Sequence, residues 1–255
     1  MESSVKYILS SFFLLIIVSS IQAQKQETTI MIRAQAKDAK FIGSSIGGAK
    51  ILVKNALTNE ILAEGVTTGS TGNTKLIMND PQERNKSITT SETAGFLATL
   101  NIEKPLFVTI EAFAPINKKQ ASVTSSTQLW IIPGKNITGD GVVLEIPGFI
   151  VDILSPQTHE KLSSNTNIEI KANVVMMCGC PVTDNGMWDA SKYQVNANIS
   201  NSEGLVKELE LKIGEKPSTF SGTIDLKSGL YEILVYSFDP FTGNSGVDKT
   251  NIIVD

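Results

Sequence analysis

Hydrophobic and polar residues alternate along most of the chain after residue 28. Ile30 and Ile32 are separated by one residue, and four residues of the second half follow the same rule: Tyr193, Val195, Ala197 and Ile199. A period of two places such residues on one face of a strand. No convincing helical period separates the strands, so the pattern predicts an all-β protein of the sandwich type rather than alternating strands and helices.

Short apolar runs bounded by Gly, Pro and Asn predict the strands. In the first half they cover 49–54, 60–65, 96–100, 105–113, 128–132 and 142–146, and in the second half 149–154, 167–176, 193–200, 205–213, 218–226, 230–238 and 250–254. Pro147 and Gly148 precede a fresh strand, which predicts a boundary there. The predicted domains are therefore 24–147, with a long loop at 67–94, and 148–255, with an insertion at 176–189.

The first 23 residues have the pattern of an export signal. Lys6 precedes an apolar run over 7–18, and a stretch of small residues ends at Ala23. The apolar run is shorter than the roughly 20 residues that span a bilayer. We therefore expect a cleaved signal peptide, no integral membrane segment after cleavage, and a periplasmic, surface or secreted protein.

The chain carries a formal net charge of −4 and no basic run. A mildly acidic surface of this kind disfavours nucleic acid and anionic membranes as main partners. The length after signal removal exceeds that of a typical single domain and suits two sandwiches of about 100 residues each.

The first predicted hairpin carries one family resemblance. An apolar strand, an Asn-rich bend at 55–59 and a second strand run from Gly48 to Gly65. This arrangement resembles the opening of carboxypeptidase-regulatory-like and transthyretin-like sandwiches. The resemblance is confined to the hairpin, implies a sandwich fold with a surface role, and carries no catalytic residues.

The second half resembles bacterial immunoglobulin-like domains. The matching stretches are 151–156 at its start, 228–231 before a late strand, and 237–246 before the final strand. The resemblance implies an immunoglobulin-like β-sandwich, a widespread fold that does not define a ligand. Residues 176–189 depart from the pattern, because such domains usually have only a short bend at this point.

The insertion contains both cysteines and a possible soft-metal constellation. If its strand continued through Cys180, then Met176, Cys178 and Cys180 would project from one face, with Met177 or Met187 nearby. Three sulfur ligands favour Cu(I) over hard cations. Two alternatives stay open. Either the sulfurs pack in a core, or the cysteines form disulfides, with each other in a ring too small to staple the fold or with another molecule.

Polar and aromatic residues of the same insertion form a candidate binding surface. Asp184, Asn185, Trp188 and Asp189 are its members, and the loop at 67–94 joins them if both project from one end. Trp188 and Trp130 are candidate exposed aromatics, and an exposed Trp188 would stack on a sugar or anchor a protein. The Asp and Asn residues also supply oxygens suited to calcium, as do Asp239 and Asn244 later in the chain, although turns explain both sets equally well.

Catalysis is not indicated by the residue types. His159 is the single histidine, and it lies in a polar turn far along the chain from the cysteines, so no nucleophile, base and orienter can be named. We predict a non-catalytic binding or structural accessory protein with a protein or glycan partner in the cell envelope. The alternatives are a copper-handling or thiol-redox accessory protein and a carbohydrate-binding module.

Overall fold

The computed structural model describes residues 25–164 and 166–255, which form β-strands joined by loops and short helical turns. The predicted all-β sandwich class is confirmed. The predicted signal peptide lies outside the described residues. In the described part of the chain, none of the helices has the length and apolar character needed to cross a bilayer.

Two sheets are built from the first half of the chain. Their strands are β1 (Gln26–Ala36), β2 (Lys50–Asn55), β3 (Ile61–Val66), β4 (Phe96–Ile102), β5 (Leu106–Ala114), β6 (Val123–Ile131) and β7 (Ile137–Ile146). One sheet has the order β4-β1-β7 and the other β3-β2-β5-β6. β1 is antiparallel to β4 and parallel to β7.

Two further sheets are built from the second half. Their strands are β8 (Phe149–Ser155), β9 (Glu160–Leu162), β10 (Ile168–Met176), β11 (Gln194–Asn201), β12 (Gly204–Glu210), β13 (Lys212–Ile213), β14 (Thr219–Ile224), β15 (Gly229–Phe238) and β16 (Ser245–Val254). The orders are β13-β14-β10-β8 and β12-β11-β15-β16-β9. No sheet among the described residues mixes strands from the two halves. The predicted boundary falls between β7 and β8, and the division into two domains stays a prediction.

The predicted hairpin forms as β2 and β3, and its bend shows why the sequence turns there. The Asn55 side chain accepts hydrogen bonds from the backbone N–H groups of Leu57 and Thr58, at 2.9 and 3.3 Å. Asn59 adopts a left-handed backbone with φ of 59°, a conformation that Asn tolerates better than most residues. Local side-chain chemistry therefore sets this turn.

Three strands, β6, β7 and β16, begin five residues earlier than predicted. Two further differences concern strand pairing. The predicted strand over 205–213 is divided at Leu211, because β12 pairs with β11 in one sheet while β13 pairs with β14 in the other. Leu211 is buried at this change of sheet. β9 was not predicted, and its three residues pair in parallel with the end of β16.

The core contains the inward side chains of all four sheets. Buried hydrophobic residues from both halves belong to one connected cluster. That cluster includes Ala39 and Ile42 from the β1–β2 connection, and Met177, Cys178 and Trp188 from the insertion. The insertion is thus part of the packed interior between the halves.

Candidate functional site at the junction

The insertion begins with a tight turn directly after β10. The Gly179 N–H donates to the Met176 carbonyl at 2.7 Å, and the Met176 N–H donates to the Cys180 carbonyl at 3.0 Å. Gly179 has φ of 76°, which favours glycine. The strand therefore ends at Met176. The predicted sulfur face required the strand to continue through Cys180, and it does not.

The sulfur atoms of this turn are enclosed. Met176, Met177, Cys178 and Cys180 are all buried, and the two cysteines form a disulfide with each other. Since the thiolate is the form that ligates metal, Cu(I) binding by these cysteines requires prior reduction. The sulfur atoms are thus packed in the core, and the two cysteines are also joined in a disulfide. Copper handling and thiol-redox chemistry stay predictions.

Gly179 also packs closely against the first half. An ideal Cβ at this position would lie 2.6 Å from Ile46 Cγ2, a distance that real side chains do not reach. Ile46 belongs to a short helical turn, Ser44–Ile46, in the β1–β2 connection. A glycine is needed here for space as well as for its backbone conformation.

Trp188 is fixed between the two halves. Its side chain is 6% exposed, and its indole N–H donates to the Asp38 carbonyl at 2.9 Å, across 150 positions of sequence. Asp38 holds a left-handed backbone with φ of 56° at the turn after β1. Trp188 therefore does not provide the open aromatic platform that the carbohydrate hypothesis required of it.

Asn244 makes a second polar connection at the junction. It is 0% exposed, its amide nitrogen donates to the Lys37 carbonyl at 3.1 Å, and its amide oxygen accepts from the Gly148 N–H at 2.8 Å. The Asn244 side chain thus bonds to the residue that follows β1 and to the segment that links the halves. Asn244 itself lies in the turn before β16. Such a side chain fixes three segments at once.

An ion pair adds a third connection nearby. Asp152 of β8 accepts from Lys118 Nζ at 2.8 Å and from Gln120 Nε2 at 2.6 Å. Both donors lie in the loop between β5 and β6, where Lys119–Ala121 forms a short helical turn. These side chains are partly exposed, so we assign them a smaller share of the stability than the buried contacts.

A cavity of about 490 Å³ opens beside these contacts. We call it the junction pocket, and its lining residues are Asp38, Met187, Lys192, Tyr193, Asp239 and Phe241. Phe241 is 95% exposed, and Met187 is also exposed. Phe241 follows Asp239, whose buried carboxylate accepts from the Phe241 N–H at 2.8 Å and from Thr242 Oγ1 at 2.5 Å. Its backbone is therefore held in a defined turn.

The electrostatics of the junction pocket are acidic. Burial raises the pKa of the Asp38 carboxyl, the nearby Asp239 raises it further, and Lys192 opposes both effects. Burial, followed by the charges of Asp239, Asp38 and Asp189, raises the pKa of Tyr193 to about 12. Negative charge in the pocket is thus only partly compensated, which favours a cationic ligand group.

A second cavity of about 660 Å³ lies on the other side of Tyr193. It is lined by Asp184, Ala190, Ser191, Tyr193, Gln194, Val195, Asn196, Glu210, Leu211, Lys212, Ile213 and Phe220. It opens where the chain passes from β12 to β13. Of the predicted surface residues, Asp184 lines this cavity.

The other predicted surface residues have different positions. Asn185 is exposed, with a left-handed φ of 54°. The Asp189 carboxylate accepts from the backbone N–H groups of Ser191 and Asn185, at 3.1 and 3.3 Å. These contacts explain the Asp and Asn residues as turn formers, and binding through them stays a prediction.

The sequence did not show that the residues of the junction pocket lie together. Asp38, Tyr193, Asp239 and Phe241 come from three separate stretches of the chain that only the fold brings together. The available signal was the Pro, Gly and Asn content of 239–244, which predicts an exposed turn and therefore an exposed Phe241.

The loop at 67–94 contacts the same β1–β2 connection as the insertion. The Phe41 N–H donates to the Thr71 carbonyl at 3.2 Å, and the Ser44 N–H donates to the Gly69 carbonyl at 3.0 Å. Within the loop, Lys75–Asn79 forms one helical turn. The loop and the insertion thus both pack on the β1–β2 connection. A binding surface formed by the two together stays a prediction.

Asp140 of β7 anchors the far end of this loop. Its carboxylate accepts from the Thr89 hydroxyl at 2.6 Å, from the Ile88 and Thr89 N–H groups at 3.1 Å each, and from the Ser87 hydroxyl. Burial raises the pKa of Asp140, but the bonds from Ser87, Thr89 and Ile88 together outweigh it and lower that pKa.

We expect Asp140→Ala to release residues 87–89. Hydrogen exchange at the Ile88 and Thr89 amides should accelerate about tenfold or more, because local protection follows the free energy of local opening. The stabilisation is fully present above the unfolded carboxyl pKa of about 3.9. It is lost as the pH falls through the lower folded value. Asp225→Ala, at an exposed position, should leave these amides unchanged, and unchanged exchange in Asp140→Ala would contradict the anchoring role.

Comparisons with known proteins assign no family. No family model matches the chain, and no curated protein matches it. Among solved structures, an engineered protein matches at 14% identity with a TM-score of 0.33, over 46% of this chain and 22% of that chain. Fibronectin(III)-like modules of Clostridium thermocellum CbhA match at 12% identity and a TM-score of 0.30, over 90% of this chain and 94% of that chain.

A third solved structure is similar to this chain at an equally low level. The titin domains z1z2, in complex with telethonin, match at 9% identity with a TM-score of 0.24, over 91% of this chain and 89% of that chain. At these identities and scores, nothing about ligand or activity is carried over to this chain. The functional argument therefore depends on the geometry of the junction.

Proposed function

We propose that this chain is an exported, non-catalytic β-sandwich protein of the cell envelope that binds a protein partner through the junction pocket. The single observation that carries the proposal is Phe241, an almost fully exposed aromatic side chain on a defined turn beside an acidic cavity. Large aromatic side chains are favourable anchors, and a backbone already held in a turn loses little conformational entropy when the side chain binds.

The pocket chemistry defines the partner group. Asp38 and Asp239 provide negative charge, and Met187 and Phe241 provide apolar surface. A Lys or Arg side chain with an apolar neighbour satisfies both, since its charged end meets the carboxylates while its aliphatic stem packs on Phe241. Because the pKa of Asp38 is raised, its protonation at acidic pH should weaken such binding.

Selection of a random displayed peptide library on the mature protein tests this function. We expect the enriched peptides to contain a basic residue beside an apolar one. We also expect each peptide to lose at least about tenfold in affinity for Phe241→Ser, as a central aromatic anchor does. Leu230→Ser is a matched control, because Leu230 is also exposed but lies outside the junction pocket.

Two results would count against the proposal. The first is enrichment of peptides without basic residues, and the second is equal affinity of the selected peptides for the parent protein and Phe241→Ser. The export component has its own test, which is the N-terminal sequence of the protein recovered from the envelope fraction of the producing cell. Cleavage after Ala23 is the expected result.

A further inference from the structure

The outer face of the β3-β2-β5-β6 sheet is a separate surface in the first half. Val108, Ile110 and Ala112 of β5 point inward and are buried. Strand alternation therefore turns Phe107 and Thr109 outward. Their register partners in β6 are Trp130 and Gln128, so all four side chains lie on the same outer face.

Two aromatic rings form one corner of this face. Trp130 is 61% exposed, and its ring lies 5.1 Å from that of Phe107, centroid to centroid, at an interplanar angle of 38°. Phe107 thus supports one side of the indole while the rest meets solvent. An exposed, supported tryptophan on a strand provides a flat apolar platform on which a ring-shaped ligand can stack.

Hydrogen-bonding side chains extend from this corner along β6. Going back along β6 from Trp130, the side chains on the outer face are those of Gln128, Ser126 and Thr124, and all three are exposed. Gln128 Nε2 donates to Thr109 Oγ1 at 3.0 Å, which holds the amide across the two strands. With a strand rise of about 3.4 Å per residue, the row from Trp130 to Thr124 extends about 20 Å.

The charges of this face are paired within the sheet. Lys54 Nζ lies 2.7 Å from Glu111 Oε2, and Lys50 Nζ lies 3.9 Å from Glu64 Oε2. β6 itself contains no charged residue over its nine positions. The face therefore complements an uncharged ligand that combines apolar ring surface with many hydroxyl groups.

We propose that this face, formed by Phe107, Thr109, Ser126, Gln128 and Trp130, is a binding site for a neutral glycan chain. The C–H face of one sugar ring stacks on Trp130, and its hydroxyls bond to the Gln128 amide. Further sugar units run along β6 towards Ser126, where they meet the hydroxyl side chains. This site is independent of the junction pocket, since the two surfaces share no residue.

The two tryptophans provide a built-in test of the glycan site. Trp130 is exposed and Trp188 is buried, so acrylamide should quench mainly Trp130 fluorescence in the mature protein. Cellohexaose, mannohexaose, maltohexaose and chitohexaose are the probes. We expect saturable protection of Trp130 by at least one of them, with a shift of its emission to shorter wavelength.

Variants connect this protection to the proposed residues. In affinity electrophoresis with the corresponding soluble polysaccharide, Trp130→Ala should abolish retardation and Gln128→Ala should weaken it at least fivefold. Phe241→Ala is the matched control, because Phe241 is an exposed aromatic that lies in the junction pocket, outside this face. It should retain binding. Far-UV circular dichroism verifies that each variant is folded.

Three outcomes would overturn the glycan site. The first is that no oligosaccharide protects Trp130 at millimolar concentration. The second is that Trp130→Ala binds the polysaccharide as well as the parent protein does. The third is that Trp130 becomes protected by raising the protein concentration alone, together with dimers in sedimentation, which would assign the face to a second copy of this chain.

Discussion

Trp188→Ala should lower the free energy of unfolding by about 3–5 kcal/mol, the range for truncation of a large buried aromatic side chain. The substitution removes a buried indole and leaves a cavity between the halves. It also removes the donor to the Asp38 carbonyl. Urea unfolding followed by circular dichroism measures the loss, and a parallel Trp188→Phe variant, which keeps an aromatic ring but lacks the indole N–H, should lose less stability than Trp188→Ala.

Trp130→Ala is the natural comparison for this measurement. The exposed Trp130 should cost less than about 1 kcal/mol, because little of its surface is buried on folding. If the two alanine variants lost the same stability, the insertion would not be packed between the halves as the structure describes. A loss confined to Trp188 would establish that its role is structural.

Asn244→Ala is expected to cost about 2–5 kcal/mol. The change leaves the Gly148 N–H and the Lys37 carbonyl without their side-chain partner in a buried site, and each unsatisfied group costs about 1–3 kcal/mol. Equilibrium unfolding gives the total loss, and hydrogen exchange at the Gly148 amide reports the local effect.

The exposed Asn251 supplies the control for Asn244. Asn251→Ala should change stability by no more than about 0.5 kcal/mol. A small effect of Asn244→Ala, with slow exchange retained at Gly148, would show that water or another group replaces the amide. The buried position of Asn244 and its two long-range partners predict the opposite result.

Local patterns predicted most of the strands. A period of two in the burial of neighbouring side chains is a property of each strand alone, so Val195, Ala197 and Ile199 identify β11 without knowledge of its neighbours. The bend at Asn55 is local for the same reason, because the side chain bonds to the N–H groups that follow it. Such features depend on a few consecutive residues and can be inferred from sequence.

The features that escaped prediction depend on distant pairings. The partner of Trp188 lies 150 positions away, and β9 exists because it meets the end of β16. No local pattern shows that Leu211 marks a change of sheet. The junction pocket is of this kind too, since Asp38 and Phe241 are neighbours only through the fold.

The candidate surface was only partly predictable. The composition of the insertion singled out a segment for attention, but it did not show the direction in which the side chains of that segment point. Trp188 and the sulfur atoms face the interior, whereas Met187 and Asp184 face the two cavities. Inward and outward positions in an irregular segment do not follow a fixed period, so burial there requires the structure.

The contact of Gly179 with Ile46 has a consequence for recombining the two halves as building blocks. A fragment beginning at residue 148 would lack the contacts of Gly179 with Ile46 and of Trp188 with Asp38, and a fragment ending at 147 would uncover Ile46. Each half therefore depends on the other to cover part of its apolar surface. A gene fusion that transplants either half to another scaffold would need a redesigned patch at these positions to stay soluble.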